Sequence, residues 1–130
     1  MGNYAITTTL KCGYAEAVEK TRKALADEGF GIITEIDVKA TLKKKLDKDF
    51  QDYIILGACN PAYAYRALLS ETEVGLLLPC NVIVYDAGKD SVVISAIEPT
   101  VAMGFVDNPE LAGIATEVKS KLVKVINSLG

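Results

Sequence analysis

The chain has 130 residues, half of them apolar, with a mean hydropathy of +0.24 and a formal net charge of −3. That length makes a single domain over residues 1–130, large enough to bury a core without disulfides or metal. A pI near 5.0 argues against nucleic acid as a partner, because such binding rests on neutralising phosphates with Lys and Arg.

Apolar runs are only a few residues long, against the roughly 20 that cross a bilayer, and no basic segment leads into an apolar one at the start. The expectation is a cytoplasmic protein with no membrane partner. Its high apolar content also fits a homodimer, since an apolar surface too broad for one core must be buried against something.

In chain order, Tyr4 to Leu10 reads as a strand, rich in Thr, Ile and Tyr. Tyr14 to Glu28 carries Tyr14, Ala17, Val18, Thr21 and Leu25 at helical spacing, with Glu16–Lys20 and Glu19–Lys23 pairs and Gly29 placed to end the helix. Gly31 to Ile36 reads as a strand, and Asp37 as the cap of a short helix with Val38, Leu42 and Leu46 facing inward. The lysines of that helix (Lys39, Lys43, Lys44, Lys45, Lys48) are answered by Asp47, Asp49 and Asp52 and form a solvated face.

Tyr53 to Leu56 is a compact apolar run expected in the middle of the sheet. Asn60-Pro61 then starts a helix through Ser70 that presents Ala64, Ala67 and Leu68. The asparagine accepts from an orphan N–H, and the proline lacks an N–H that would be orphaned anyway. Gly75 to Tyr85 is one strand broken at Pro79 or two shorter ones, with a bulge or sheet edge near the proline. Ala87-Gly88-Lys89-Asp90 turns the chain into Ser91–Ile97. Asn108-Pro109 begins the last helix, whose stripe runs from Leu111 to Ile126.

The order implies an α+β fold: a single mixed or mostly antiparallel sheet, two long helices packed on one face and two short helices in connections. No glycine-rich fingerprint follows the first strand, so a dinucleotide fold has no support and the sequence names no cofactor.

With no histidine and no tryptophan in the chain, its most distinctive groups are thiols. Cys12, Cys59 and Cys80 are odd in number and lack CxxC spacing, so reduced cysteines are expected and no disulfide framework. Cys59-Asn60 and Cys80-Asn81 each follow an apolar run interrupted by a turn-forming residue.

Cys59 is placed between a strand end and a helix start, where amides and the helix dipole favour an anion. The dipole contributes only about 0.3–1 kcal/mol, which lowers a thiol pKa by well under one unit. Arg66 is not obviously placed to help, and the usual activating base is missing.

Four readings of the thiols stand open: small buried hydrophobes, walls of a ligand crevice, redox or persulfide chemistry, and a metal site. Two cysteines are too few for a structural zinc site. Carboxylates such as Glu35 and Asp37, or a second subunit, would have to complete one, so no metal is assigned. Tyr63 and Tyr65 could wall a pocket, while Met103 and Phe105 read as core.

Thr34-Glu35-Ile36-Asp37, Leu56-Gly57-Ala58-Cys59-Asn60-Pro61 and Gly75 through Pro79-Cys80-Asn81-Val82, in this order and spacing, resemble the domain of unknown function 302 family. The resemblance implies a small stand-alone α+β domain, often a homodimer, with no established activity. Where that family's pattern has Asp-Pro after the final hairpin strand, this chain has Glu98-Pro99.

The leading expectation is therefore binding of a small molecule or anion near Cys59, Asn60, Pro61, Pro79, Cys80 and Asn81, with Glu35 and Asp37 as further candidates. Thiol-based redox or sulfur transfer by Cys59 and Cys80 is the enzymatic alternative, and a homodimeric scaffold the structural one.

Overall fold

The computed structural model describes residues 3–130. Five strands, β1 (Ala5–Leu10), β2 (Gly31–Asp37), β3 (Tyr53–Cys59), β4 (Cys80–Gly88) and β5 (Ser91–Ile97), form one sheet in the order β1-β5-β4-β3-β2. Every neighbouring pair is antiparallel. The helices are α1 (Tyr14–Asp27), α2 (Val38–Leu46), α3 (Pro61–Ser70), α4 (Pro99–Ala102) and α5 (Pro109–Leu129), with a 3₁₀ helix over Thr72–Leu77. None of the described helices is long and apolar enough to cross a membrane.

Alternation along the strands decides where the core sits. Leu56 and Ala58 of β3, Val82 and Val84 of β4, and Val92, Ile94 and Ala96 of β5 are all buried. The register sets them side by side on one face: Leu56 opposite Val82, Val82 opposite Ala96, and Val84 opposite Ile94. Helix α5 lays its expected stripe of Leu111, Ile114, Ala115, Val118, Leu122, Val125 and Ile126 into this layer. Beside it, α1 contributes Ala17, Val18, Thr21, Ala24 and Leu25. Each fully buried large aliphatic contributes about 1.5–3 kcal/mol.

Local signals explain the boundaries. Gly29, at φ +84°, lets the chain leave α1 in the left-handed conformation that side chains resist. Asp37 accepts from the Ala40 N–H at 2.9 Å to cap α2, and Asn108 accepts from Leu111 N–H at 3.1 Å to cap α5. The β4–β5 turn places Lys89 and Asp90 at φ 55° and 60°, both positive as a two-residue hairpin turn of this hand requires.

Several expectations are corrected. The segment before Pro79 is 3₁₀ helix rather than strand, and β4 starts only after the proline, which cannot donate to a ladder. The Leu78–Pro79 peptide is cis. The bulges lie elsewhere, between Ile32 and Thr34 and between Asp86 and Gly88.

Helix α2 buries nothing, and Leu46 is 63% exposed, because α2 packs at the β2–β3 end of the sheet instead of across the core. Glu19 pairs with Arg22 at 3.2 Å and Lys23 with Asp27 at 3.2 Å, in place of a Glu19–Lys23 bridge. Lys39 and Lys43 do meet Asp52, Asp47 and Asp49.

Candidate functional site

Strand β3 ends at Cys59, and β4 begins at Cys80, which follows Pro79 directly. Ala58 and Cys80 are register partners, so the two cysteine motifs are neighbours at one end of the sheet. Helix α3 starts immediately after Asn60 with Pro61 in its first turn. Asn60 occupies the cap position, yet its side chain does not cap α3. Its Nδ2 donates instead to the Glu28 carbonyl oxygen at 3.4 Å, linking the start of α3 to the end of α1.

Between this sheet end and helices α3, α4 and α5 lies a cavity of about 310 Å³. Cys59, Asn60, Pro79 and Cys80 line it together, joined by Tyr63 and Met103. Phe30, Leu78, Ile114 and Val118 supply further apolar wall, and no Asp, Glu, Lys or Arg is among the lining residues. That composition offers a charged group no side-chain counter-charge inside the cavity.

The remaining candidates fall outside. Pro61 is exposed and does not reach the cavity. Asn81 is exposed and borders an adjoining hollow with Leu76 and Ile97, which shares Pro79, Cys80 and Met103 with the cavity as walls. Glu35 forms a two-pronged pair with Arg22 at 2.8 and 2.9 Å, and that hydrogen-bonded guanidinium holds its carboxyl below the usual range. Asp37 is engaged in capping α2. Tyr65 points away at 65% exposure. Among the described residues, no three His, Cys, Asp or Glu side chains group closely enough to hold a metal ion.

Met103, read from sequence as core, is both core and cavity wall. Helix α4 was missed, although Glu98-Pro99 repeats the cap-and-proline signal of Asn108-Pro109. Glu98 accepts from Thr100 N–H at 2.8 Å, and Lys119 lies 3.5 Å from its carboxylate. Burial works to raise the Glu98 carboxyl, but the Thr100 hydrogen bonds and Lys119 outweigh it and hold it below the usual value. This carboxylate therefore fixes the turn that delivers Pro99 and Met103 to the cavity.

The electrostatics separate the two thiols. Burial, with Cys59 nearby, pushes Cys80 up to about 11. Arg66 cannot counter this from α3: it pairs with Glu117 at 3.2 Å and lies 5.5 Å from the Tyr63 ring centre. At about pH 8 only roughly one Cys80 in a thousand is thiolate, and the thiolate is the reactive form. Iodoacetamide is therefore expected to label half-buried Cys59 while sparing Cys80 in the folded protein. Peptide mass spectrometry reads this, and equal labelling rates at the two sites would contradict it.

A family model described as "Domain of unknown function DUF302" matches residues 6–129. The chain belongs to the DUF302 family. Its fold is similar to the crystal structure of an uncharacterized conserved DUF302 protein from Bacillus stearothermophilus, with a TM-score of 0.90 and 29% identity. That likeness covers 98% of this chain and 99% of the other. Comparison with curated proteins finds no match. Family membership thus accounts for the α+β architecture, and the chemistry has to be read from the DUF302 cavity itself.

Proposed function

We propose that this protein binds a small, uncharged, largely apolar molecule in the cavity bordered by Cys59 and Cys80. The observation that carries this reading is the lining: about 310 Å³ walled by carbon and sulfur, with Asn60 as its main polar side chain. Binding sites of this kind are mostly apolar with a few placed polar groups that orient the ligand. A dry cavity of roughly 150 Å³ accepts one benzene, so this one has room for about a dozen heavy atoms. Sulfur beside an aromatic ring adds a favourable contact, which suits an aromatic occupant.

The sequence-based expectation of an anion loses ground here, because no cation borders the cavity. The thiol-exchange alternative would need Cys80 as a resolving group, and a thiol pushed up to about 11 serves that role poorly at neutral pH. A pure scaffold leaves the cavity without a use.

Indole, naphthalene and octanol serve as uncharged probes and inorganic phosphate as the anionic one, read by ligand-observed NMR and thermal shift. At least one uncharged probe is expected to bind saturably and phosphate is not. Ala64 is half-buried on α3 and lines the cavity, so Ala64→Phe fills it and weakens that probe at least about tenfold. Unchanged probe affinity in a folded Ala64→Phe protein, or binding of phosphate alone, would overturn the reading.

A further inference from the structure

Asn60 breaks a local rule. An asparagine just before a helix that opens on proline ordinarily turns its side-chain oxygen back to accept from one of the first free N–H groups. Here no side-chain hydrogen bond caps α3. The residue is half-buried and lines the cavity, so the oxygen that a cap would use is left for something else.

The end of α1 decides which way this amide points. The N–H groups of Glu28, Gly29 and Phe30 are all spent on carbonyls of the last turn of α1, at 3.1, 3.0 and 2.9 Å. What α1 offers Asn60 is the Glu28 carbonyl, an acceptor, and Nδ2 donates to it at 3.4 Å. Turning the amide over would set oxygen against oxygen, with no N–H there to receive it. Gly29 keeps the space clear, since a Cβ on it would stand 3.2 Å from Nδ2.

With Nδ2 held on the α1 side, Oδ1 is the polar atom left over. Among the described residues no buried side-chain oxygen or nitrogen lacks a partner. Oδ1, which takes no hydrogen bond, therefore stands open, and the opening that Asn60 borders is the cavity.

An amide oxygen can only accept. The other polar groups on the wall do not discriminate in this way. The Tyr63 hydroxyl donates and accepts alike, and the Cys59 and Cys80 thiols are weak in either role. We infer that the ligand is an uncharged apolar molecule carrying one N–H or O–H donor, as indoles, phenols and alcohols do, and that Asn60 Oδ1 is the acceptor that selects it. This rests on the cavity being a binding site, as proposed above. A ligand without a donor would strip Oδ1 of water and give nothing in return, and sites built around such a group reject analogues that lack the match.

Indole and benzofuran test this, because they share a bicyclic shape and differ in whether an N–H or an ether oxygen closes the ring. In titrations followed by ligand-observed NMR, the wild type is expected to bind indole at least about tenfold more tightly than benzofuran. The side-chain carboxamide signals of Asn60 should shift with indole and hardly move with benzofuran, a readout that needs no variant. Asn60→Leu removes the acceptor and keeps the bulk. Indole affinity is then expected to fall to that of benzofuran or below, while benzofuran itself changes less than about threefold. Circular dichroism checks folding, and Asn60→Ala repeats the test if the leucine protein is unfolded.

If neither compound binds, and naphthalene and octanol do not either, the cavity reading fails and this inference with it. If benzofuran binds the wild type as tightly as indole, or the indole preference survives in a folded Asn60 variant, the cavity reading stands and the inference is overturned.

Discussion

Gly57→Ala is expected to destabilise the protein by about 2–3 kcal/mol, in the upper part of the range for an overpacked interior. Gly57 is buried in the middle of β3, and a methyl there would overlap Thr34 Oγ1 on β2 and lie 2.8 Å from Pro79 Cγ. Removing a glycine also restricts the unfolded chain, which favours folding by about 0.4–1 kcal/mol. The clash wins because one obstacle is the proline ring, whose position is set by the backbone. Thr34→Ala removes the nearer obstacle, so the double variant should recover part of the loss. Denaturant melts of the four proteins give the coupling directly. A Gly57→Ala protein as stable as the wild type would show that the strand end yields more easily than its packing indicates.

The second large effect is alkaline. Cys80 titrates at about 11 in the folded chain, against a usual value of 9.0, because burial disfavours the thiolate. A raised pKa means the folded state holds its proton longer than the unfolded one. The associated stability is fully present below pH 9 and is lost as pH rises to about 11. Two units correspond to roughly 2–3 kcal/mol.

Tyr14 also titrates high, pushed up to about 12 chiefly by burial, and would add its own alkaline loss. Cys80→Val isolates the thiol: it keeps an apolar side chain of similar size and removes the titration. Between pH 8 and 11 the wild type should lose stability relative to this variant. Parallel stability curves for the two proteins would refute the assignment.

What could be read from the residues alone depended on whether a signal was local. Helix α5 was legible because its apolar stripe, Asn108 cap and Pro109 all lie within one segment. The strands of the β4–β5 hairpin were legible for the same reason. Family membership was legible from the two Cys-Asn motifs and their spacing.

Helix α2 misled because Val38, Leu42 and Leu46 have helical spacing, yet which surface they meet depends on where the sheet ends. Pro79 was recognised as an interruption, but whether 3₁₀ helix or strand precedes it is set by packing. Half of the candidate site followed the same rule. Cys59, Asn60, Pro79 and Cys80 share a cavity because β3 and β4 pair in register. Asn81 turns to the opposite face because side chains alternate. Glu35 and Asp37 were engaged by partners on other elements or in backbone caps. The apolar walls from Met103, Ile114 and Val118 carry no sequence mark that separates cavity from core.

The strand order has a bearing on how the molecule is built during synthesis. β1 is the first strand made, but its only neighbour is β5, so its edge stays unpaired until residue 97 has emerged. The other three pairings, β2–β3, β3–β4 and β4–β5, join strands consecutive in the chain, and these can form earlier at lower entropic cost. The walls supplied by α4 and α5 come later still. The cavity is thus among the last features to exist on a nascent chain, and the ligand proposed for it would meet a finished protein.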